Sequence, residues 1–122
     1  MSPTLQDGDL VIIRDSNKEI HRKDMVVFYP PKAGSTKGKK YIKRVLGLPG
    51  DTIKIYKQTV YVNGKKIKEK YVKNAAIGDY YPETTLKKDE FFVLGDNRCN
   101  SDDSRNFGVV KRERIIGVVR IR

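Results

Sequence analysis

The chain has 122 residues, 38% of them hydrophobic, which supports one domain with a real core and excludes two independent ones. No window approaches the roughly 18 consecutive apolar residues of a membrane-spanning helix, and the opening "MSPTLQDGD" lacks the apolar stretch of roughly 7 to 15 residues that marks a signal peptide. A formal net charge of +11 would draw the chain toward a polyanion, either nucleic acid or the anionic face of a membrane, but the lysines are scattered through segments such as "STKGKKYIK" and "NGKKIKEKYVK", which favours a diffusely basic surface over a dedicated reading face.

In chain order, the first β-type run is "DLVII". It leads into "KEIHRKD", where His21, the one histidine, sits among charges and is expected in an exposed loop; a Ser-His-Asp mechanism would have to rest on it alone. The runs "MVVFY" and "KYIKRVLG" follow, separated by "YPPKAGSTKGKK", whose prolines, glycines and small polar residues predict a surface loop. "DTIKIYKQTVYVNGKKIK" predicts a hairpin turning near Lys57-Gln58, with a second turn at Asn63-Gly64 folding the next strand back. Alternation in "TIKIY" and "TVYV" implies one buried face and one wet face. Residues 73–88, "KNAAIGDYYPETTLKK", read as irregular, with Tyr80, Tyr81 and Pro82 packing as a lid or covering a sheet edge. "EFFVLG", "FGVV" and "RIIGVVRIR" complete the series. The Val, Ile, Tyr and Phe content of these runs, punctuated by Gly-Asp, Pro-Gly and Asn-Gly, predicts an all-β domain of many short strands without a long helix.

Two features carry chemistry. Lys43 lies inside an apolar strand, and burying its ammonium costs several kcal/mol unless it is paired or gives up its proton. A lysine so desolvated can act as a general base near neutral pH, with a serine hydroxyl holding its amine; the alternative is a side chain that snorkels from a strand edge to solvent. The second feature is the loop "LGDNRCNSDDSRNFG", residues 94–108, which sets Asp96, Asn97, Arg98, Asn100, Ser101, Asp102, Asp103, Ser104 and Arg105 between two apolar strands. A hairpin reversal needs only about two to five residues. The loop is therefore either a solvated turn with an internal Asp103-Arg105 pair or a polar scaffold for a catalytic group, with Lys43 and Ser101 as base and orienter. Cys99, the one cysteine, excludes a disulfide framework or a multi-cysteine zinc site within the chain.

Four blocks, "MSPTLQDGD", "GDLVII" with "KDMVVF", "YIKRVLGLPGD" and "GDNRCNSDDSRNFG", together resemble the type I signal peptidases, the membrane-bound Ser/Lys endopeptidases that remove signal peptides from exported proteins. The first resembles the family's S-M-x-P-T-L block, the third its lysine box and the last its G-D-N-x-x-x-S-x-D-S-R box. The resemblance implies coiled, partly barrel-like sheets, and the short span between the last two boxes is similar to the compact Gram-positive-like form. It makes Lys43 the general base and Ser101 the hydroxyl that orients it. Arg44 would pair with Asp96, and Asp103 with Arg105 to stiffen the loop. Met1, Pro3, Tyr41 and Ile42 would line the groove in which an extended signal peptide adds as a strand.

In the family the nucleophilic serine stands directly before the methionine of S-M-x-P-T-L, which here is Met1, and the oxyanion-hole hydroxyl stands two residues earlier still. Ser2 occupies the variable position, and a shift of two strand residues displaces a hydroxyl by roughly 6 to 7 Å. The expectation is a single extracytoplasmic catalytic domain, residues 1–122, truncated at its N-terminus and inactive as written. Its parent would be held at the extracytoplasmic face of the cell membrane by an N-terminal transmembrane segment. The resemblance implies no metal or organic cofactor, signal peptides of preproteins as substrates, contact with the membrane surface, no nucleic acid and no required partner protein. The alternatives are a non-catalytic homologue that binds signal peptides and a basic β-barrel that stacks nucleic acid on its tyrosines. Cys99 falls at a variable position of the last box, with no catalytic duty.

Overall fold

A computed structural model describes residues 10–13, 19–31, 40–72, 74 and 78–121. Every β-type run of the sequence contains a strand: β1 (Leu10–Ile13), β2 (Met25–Phe28), β3 (Tyr41–Gly47), β4 (Thr52–Tyr56), β5 (Thr59–Val62), β6 (Lys65–Lys66), β7 (Tyr81–Thr85), β8 (Glu90–Leu94), β9 (Val110–Lys111) and β10 (Ile115–Ile121). Among the described residues, helix is confined to the single turn α1 (Ser104–Phe107) and a 3-10 turn at Arg112–Arg114. No helix among the described residues is long and apolar enough to cross a membrane.

The strands form two antiparallel sheets, one of six strands in the order β1-β10-β2-β3-β8-β9 and one of four in the order β6-β5-β4-β7. The fold is all-β with many short strands, as the sequence predicts, and among the described residues neither sheet closes into a barrel. The pleat of β3 and β8 explains how they pack, because alternate residues face opposite ways. Val45, Phe91 and Val93 join Val26, Phe28, Val110, Ile115 and Val118 on one face of the larger sheet. Leu46, Phe92 and Leu94 join Ile53, Ile55, Val60, Val62 and Leu86 between the sheets. All five residues of β8 are buried, and a fully buried phenylalanine contributes about 1.5–3 kcal/mol. The strand that launches the polar loop is thus firmly anchored.

The turn at Lys57-Gln58 joins β4 to β5 with both residues left-handed, at φ 47° and 64°, and Asn63-Gly64 turns β5 into β6 at φ 53° and 82°. These are the mirror-image turns whose twist matches that of paired strands. The reading of residues 73–88 as irregular is corrected at Tyr81–Thr85, which pairs with β4. The sequence hides this strand because it lies at a sheet edge, where Pro82 is tolerated and alternation is lost. Tyr81 packs edge-on against Phe92, with ring centroids 4.9 Å apart, and Tyr80 against Tyr56, at 5.3 Å. Tyr81 thus packs against the core between the sheets, while Tyr80 is exposed.

Candidate active site

Lys43 and Arg44 are neighbours on β3 and so project from opposite faces of the sheet. The ladder between β3 and β8 starts at Arg44 opposite Leu94. Just beyond Leu94 the chain leaves β8 and enters the polar loop, which therefore passes beside Lys43. There the Lys43 Nζ donates to Ser101 Oγ at 3.1 Å.

Gly95 makes that approach possible. A Cβ on Gly95 would lie 2.0 Å from Ser101 Oγ and 3.5 Å from Lys43 Nζ, so a side chain there would occupy the serine's place. Burial lowers the Lys43 pKa from the ordinary lysine value of 10.5; Asp103, Asp102 and Asp96 oppose the shift and Arg105 assists it. Desolvation prevails over three nearby carboxylates because two of them are already neutralised. Arg44 clamps Asp96 through Nε and Nη2 at 3.0 and 2.9 Å. Arg105 clamps Asp103 through Nε and Nη2 at 2.9 and 2.8 Å.

Asp103 also builds the loop. It is fully buried, accepts from the Gly95 N–H at 3.0 Å and caps α1 by accepting from the Arg105 N–H, while Asn106 caps back onto the Asp103 N–H. This is a capping box, which satisfies two otherwise orphaned donors. Ser104 Oγ accepts from the Val93 N–H at 2.9 Å, tying the turn to β8. Arg105 reaches on to Asp79 at 2.8 Å. Burial alone would disfavour its charge, but Asp103 and Asp79 outweigh burial and raise its pKa.

The structure thus brings together Lys43, Ser101, Arg44, Asp96, Asp103 and Arg105. Tyr41 adjoins them: its hydroxyl donates to Asp102 at 2.9 Å, and Lys43 Nζ lies 5.6 Å from its ring centroid. Ile42 is on the opposite face, packed with Met25, Val27 and Val119. Among the described strands, Tyr41, Ile42 and Lys43 pair with β2, across from Phe28, Val27 and Val26. Met1 and Pro3 lie outside the described residues, as does Ser2. His21 is exposed and engages Glu19 and Asp24, and Cys99 is an exposed thiol.

Sequence reasoning assigned no role to Glu69, Tyr71 or Arg98. Arg98, 5% exposed, donates through Nε to the Gly95 carbonyl at 2.7 Å and through its two terminal nitrogens to Glu69 at 3.1 and 2.6 Å. Tyr71 donates its hydroxyl to Glu69 at 3.0 Å, and its ring lies 4.1 Å from the Arg44 guanidinium. Burial and the Glu69 anion both raise the Tyr71 pKa, keeping that hydroxyl a donor. Chemically, the assembly presents a desolvated amine, held by a hydroxyl, that can take a proton from a third group brought to its open side.

Comparison with known proteins gives a consistent result. The family model described as "Signal peptidase, peptidase S26" matches residues 1–122. The chain is 40% identical over 122 residues to a "Probable signal peptidase I-2" of Synechocystis, which covers 96% of this chain and 56% of that relative. It is 38% identical over 135 residues to "Signal peptidase I V" of Bacillus subtilis, covering 98% of this chain and 77% of the relative. The chain thus spans little more than half of the cyanobacterial relative. A crystal structure of a signal peptidase I from Enterococcus faecalis superposes with a TM-score of 0.67 at 34% identity, covering 83% of this chain and 97% of that one.

Proposed function

Since the chain belongs to the signal peptidase family, peptidase S26, we propose that residues 1–122 form an extracytoplasmic catalytic domain that cleaves signal peptides from exported preproteins by acyl transfer, with Lys43 as general base. The observation that carries this reading is the desolvated Lys43 amine 3.1 Å from Ser101 Oγ. A neutral amine takes the proton of a serine hydroxyl as it attacks the scissile carbonyl, returns it to the leaving amine, and then activates the water that hydrolyses the acyl-enzyme. Ser101 orients the amine throughout.

The nucleophile is assigned to the position directly before Met1. The substrate adds as a strand along the edge of Tyr41 and Ile42, and small residues, usually alanine, fit the first and third positions before the cut. Work on peptides emerging from a bilayer places the domain at the outer membrane surface, where its net positive charge favours anionic lipids.

The test uses a chain extended by a designed segment that places Ser directly before Met1. The extended chain processes a preprotein, and Lys43→Ala lowers turnover about 10⁴-fold or more. Equal processing by the extended chain and its Lys43→Ala variant would overturn the base assignment. Binding of signal peptides without cleavage by that chain would instead mark a non-catalytic homologue.

A further inference from the structure

Glu69, Tyr71 and Arg98 take no part in the proton transfers above, yet they close a ring of contacts around the site. Lys43 Nζ donates to Ser101 Oγ. Ser101 seats against Gly95, where no Cβ could fit. The Gly95 carbonyl accepts from Arg98, Arg98 is gripped by Glu69, and Glu69 accepts from Tyr71. The Tyr71 ring supports Arg44, the residue after Lys43. The peptide groups of Gly95 are fixed at both ends, the N–H by Asp103 and the C=O by Arg98.

We propose that the Glu69–Arg98 ion pair, braced by Tyr71, is the positioning device that fixes Gly95, and through it Ser101, against the Lys43 amine. The inference rests on the reading of Lys43 as the base. Glu69 and Arg98 are positioning residues, and neither touches the reacting atoms. Their importance follows from geometry: a productive site tolerates displacements of only about 0.5 Å, and a misplacement of about 1 Å can cost about 100-fold in rate. Ser101 sits on a loop, not a strand, so its place depends on what holds Gly95.

The charges acting on the amine come from the loop, as Asp96, Asp102, Asp103 and Arg105. Its own strand contributes the Tyr41 ring, with Arg44 on the opposite face engaged by Asp96, and across the ladder on β2 it meets the apolar Val26. Loosening the clamp admits water to the amine and moves its titration upward, toward the ordinary lysine value. A direct charge effect predicts otherwise for one variant, because removing the Glu69 anion would move the titration downward.

The experiment measures the pH dependence of Lys43 acetylation by trace acetic anhydride in the 122-residue chain, with thermal unfolding in parallel. It compares wild type with Glu69→Gln, Arg98→Met and Tyr71→Phe, the last of which changes no charge at neutral pH. The expected result is a wild-type midpoint below 10.5 and an upward shift of about half a unit or more in Glu69→Gln, with a smaller upward shift in Tyr71→Phe. In the extended, serine-bearing chain, Tyr71→Phe and Glu69→Gln lower kcat more than they raise KM. A midpoint that stays put or falls in Glu69→Gln, with melting temperature alone reduced, makes the pair merely structural and overturns the proposal. If Glu69→Gln and Arg98→Met do not fold, Tyr71→Phe decides by the same criterion. A wild-type Lys43 that labels as an ordinary lysine contradicts the base assignment instead, which separates the two failures.

Discussion

Lys43 Nζ and Ser101 Oγ stand 3.1 Å apart although 58 residues separate them in the chain. The contact exists because β3 and β8 are adjacent and the loop leaving β8 begins with a residue that has no side chain. Its geometry depends on Gly95 more than on either partner.

Gly95→Ala tests that dependence. The added Cβ would meet Ser101 Oγ at 2.0 Å, and a well-packed site accommodates such intrusion at about 1–3 kcal/mol. The extended chain should keep its fold, lose modest stability and lose about 100-fold or more in turnover. Near-normal turnover would show that Ser101 need not sit where the structure places it.

Asp103 joins four donors: the Gly95 N–H, the Arg105 N–H and two nitrogens of the Arg105 side chain. Asp103→Ala leaves Arg105 with only Asp79 in a largely buried site. Breaking one side of a buried pair costs about 3–5 kcal/mol, and urea unfolding should show a loss of that order. A loss below about 1 kcal/mol would mean that the loop is held elsewhere.

Lys43 gives stability a pH dependence whose direction is fixed by its lowered pKa. Between the folded value and 10.5 the unfolded chain binds more protons than the folded one, so stability rises with pH across that window. Below it, the burial penalty on the charged amine is fully present. Wild type should therefore gain stability relative to Lys43→Met as pH climbs toward 10.5, with a constant difference at lower pH. A fall in wild-type stability relative to Lys43→Met over that range contradicts the lowered pKa.

Gln58 is left-handed at φ 64° without the freedom of glycine. The strain of that conformation, about 1–2 kcal/mol, exceeds the backbone entropy that glycine adds to the unfolded chain, about 0.5–1 kcal/mol. Gln58→Gly should raise unfolding stability by about 0.5–1 kcal/mol, and a lower urea midpoint would refute this.

Much of the site was legible because its groups are concentrated in two short boxes. Lys43 and Arg44 stand out as cations in an apolar strand, and Ser101, Asp96, Asp103 and Arg105 as a polar crowd between strands. Glu69 and Tyr71 left no such trace. They come from a lysine-rich stretch without periodicity and matter only because folding brings them to Arg98 and Arg44. The single turn of α1 was hidden too: at four residues it depends on the Asp103–Asn106 capping box more than on any helical pattern. β7 escaped notice because an exposed edge strand does not alternate. The readings of Met1 and Pro3 fall outside the described residues.

The most direct measurement is the pH titration of the Lys43 side-chain resonances by NMR in the isotopically labelled 122-residue chain. The account predicts a midpoint clearly below 10.5, moving when Ser101→Ala removes the hydroxyl at 3.1 Å. A midpoint at or above 10.5, indifferent to Ser101, would leave Lys43 an ordinary charged lysine and remove the base from the proposed reaction.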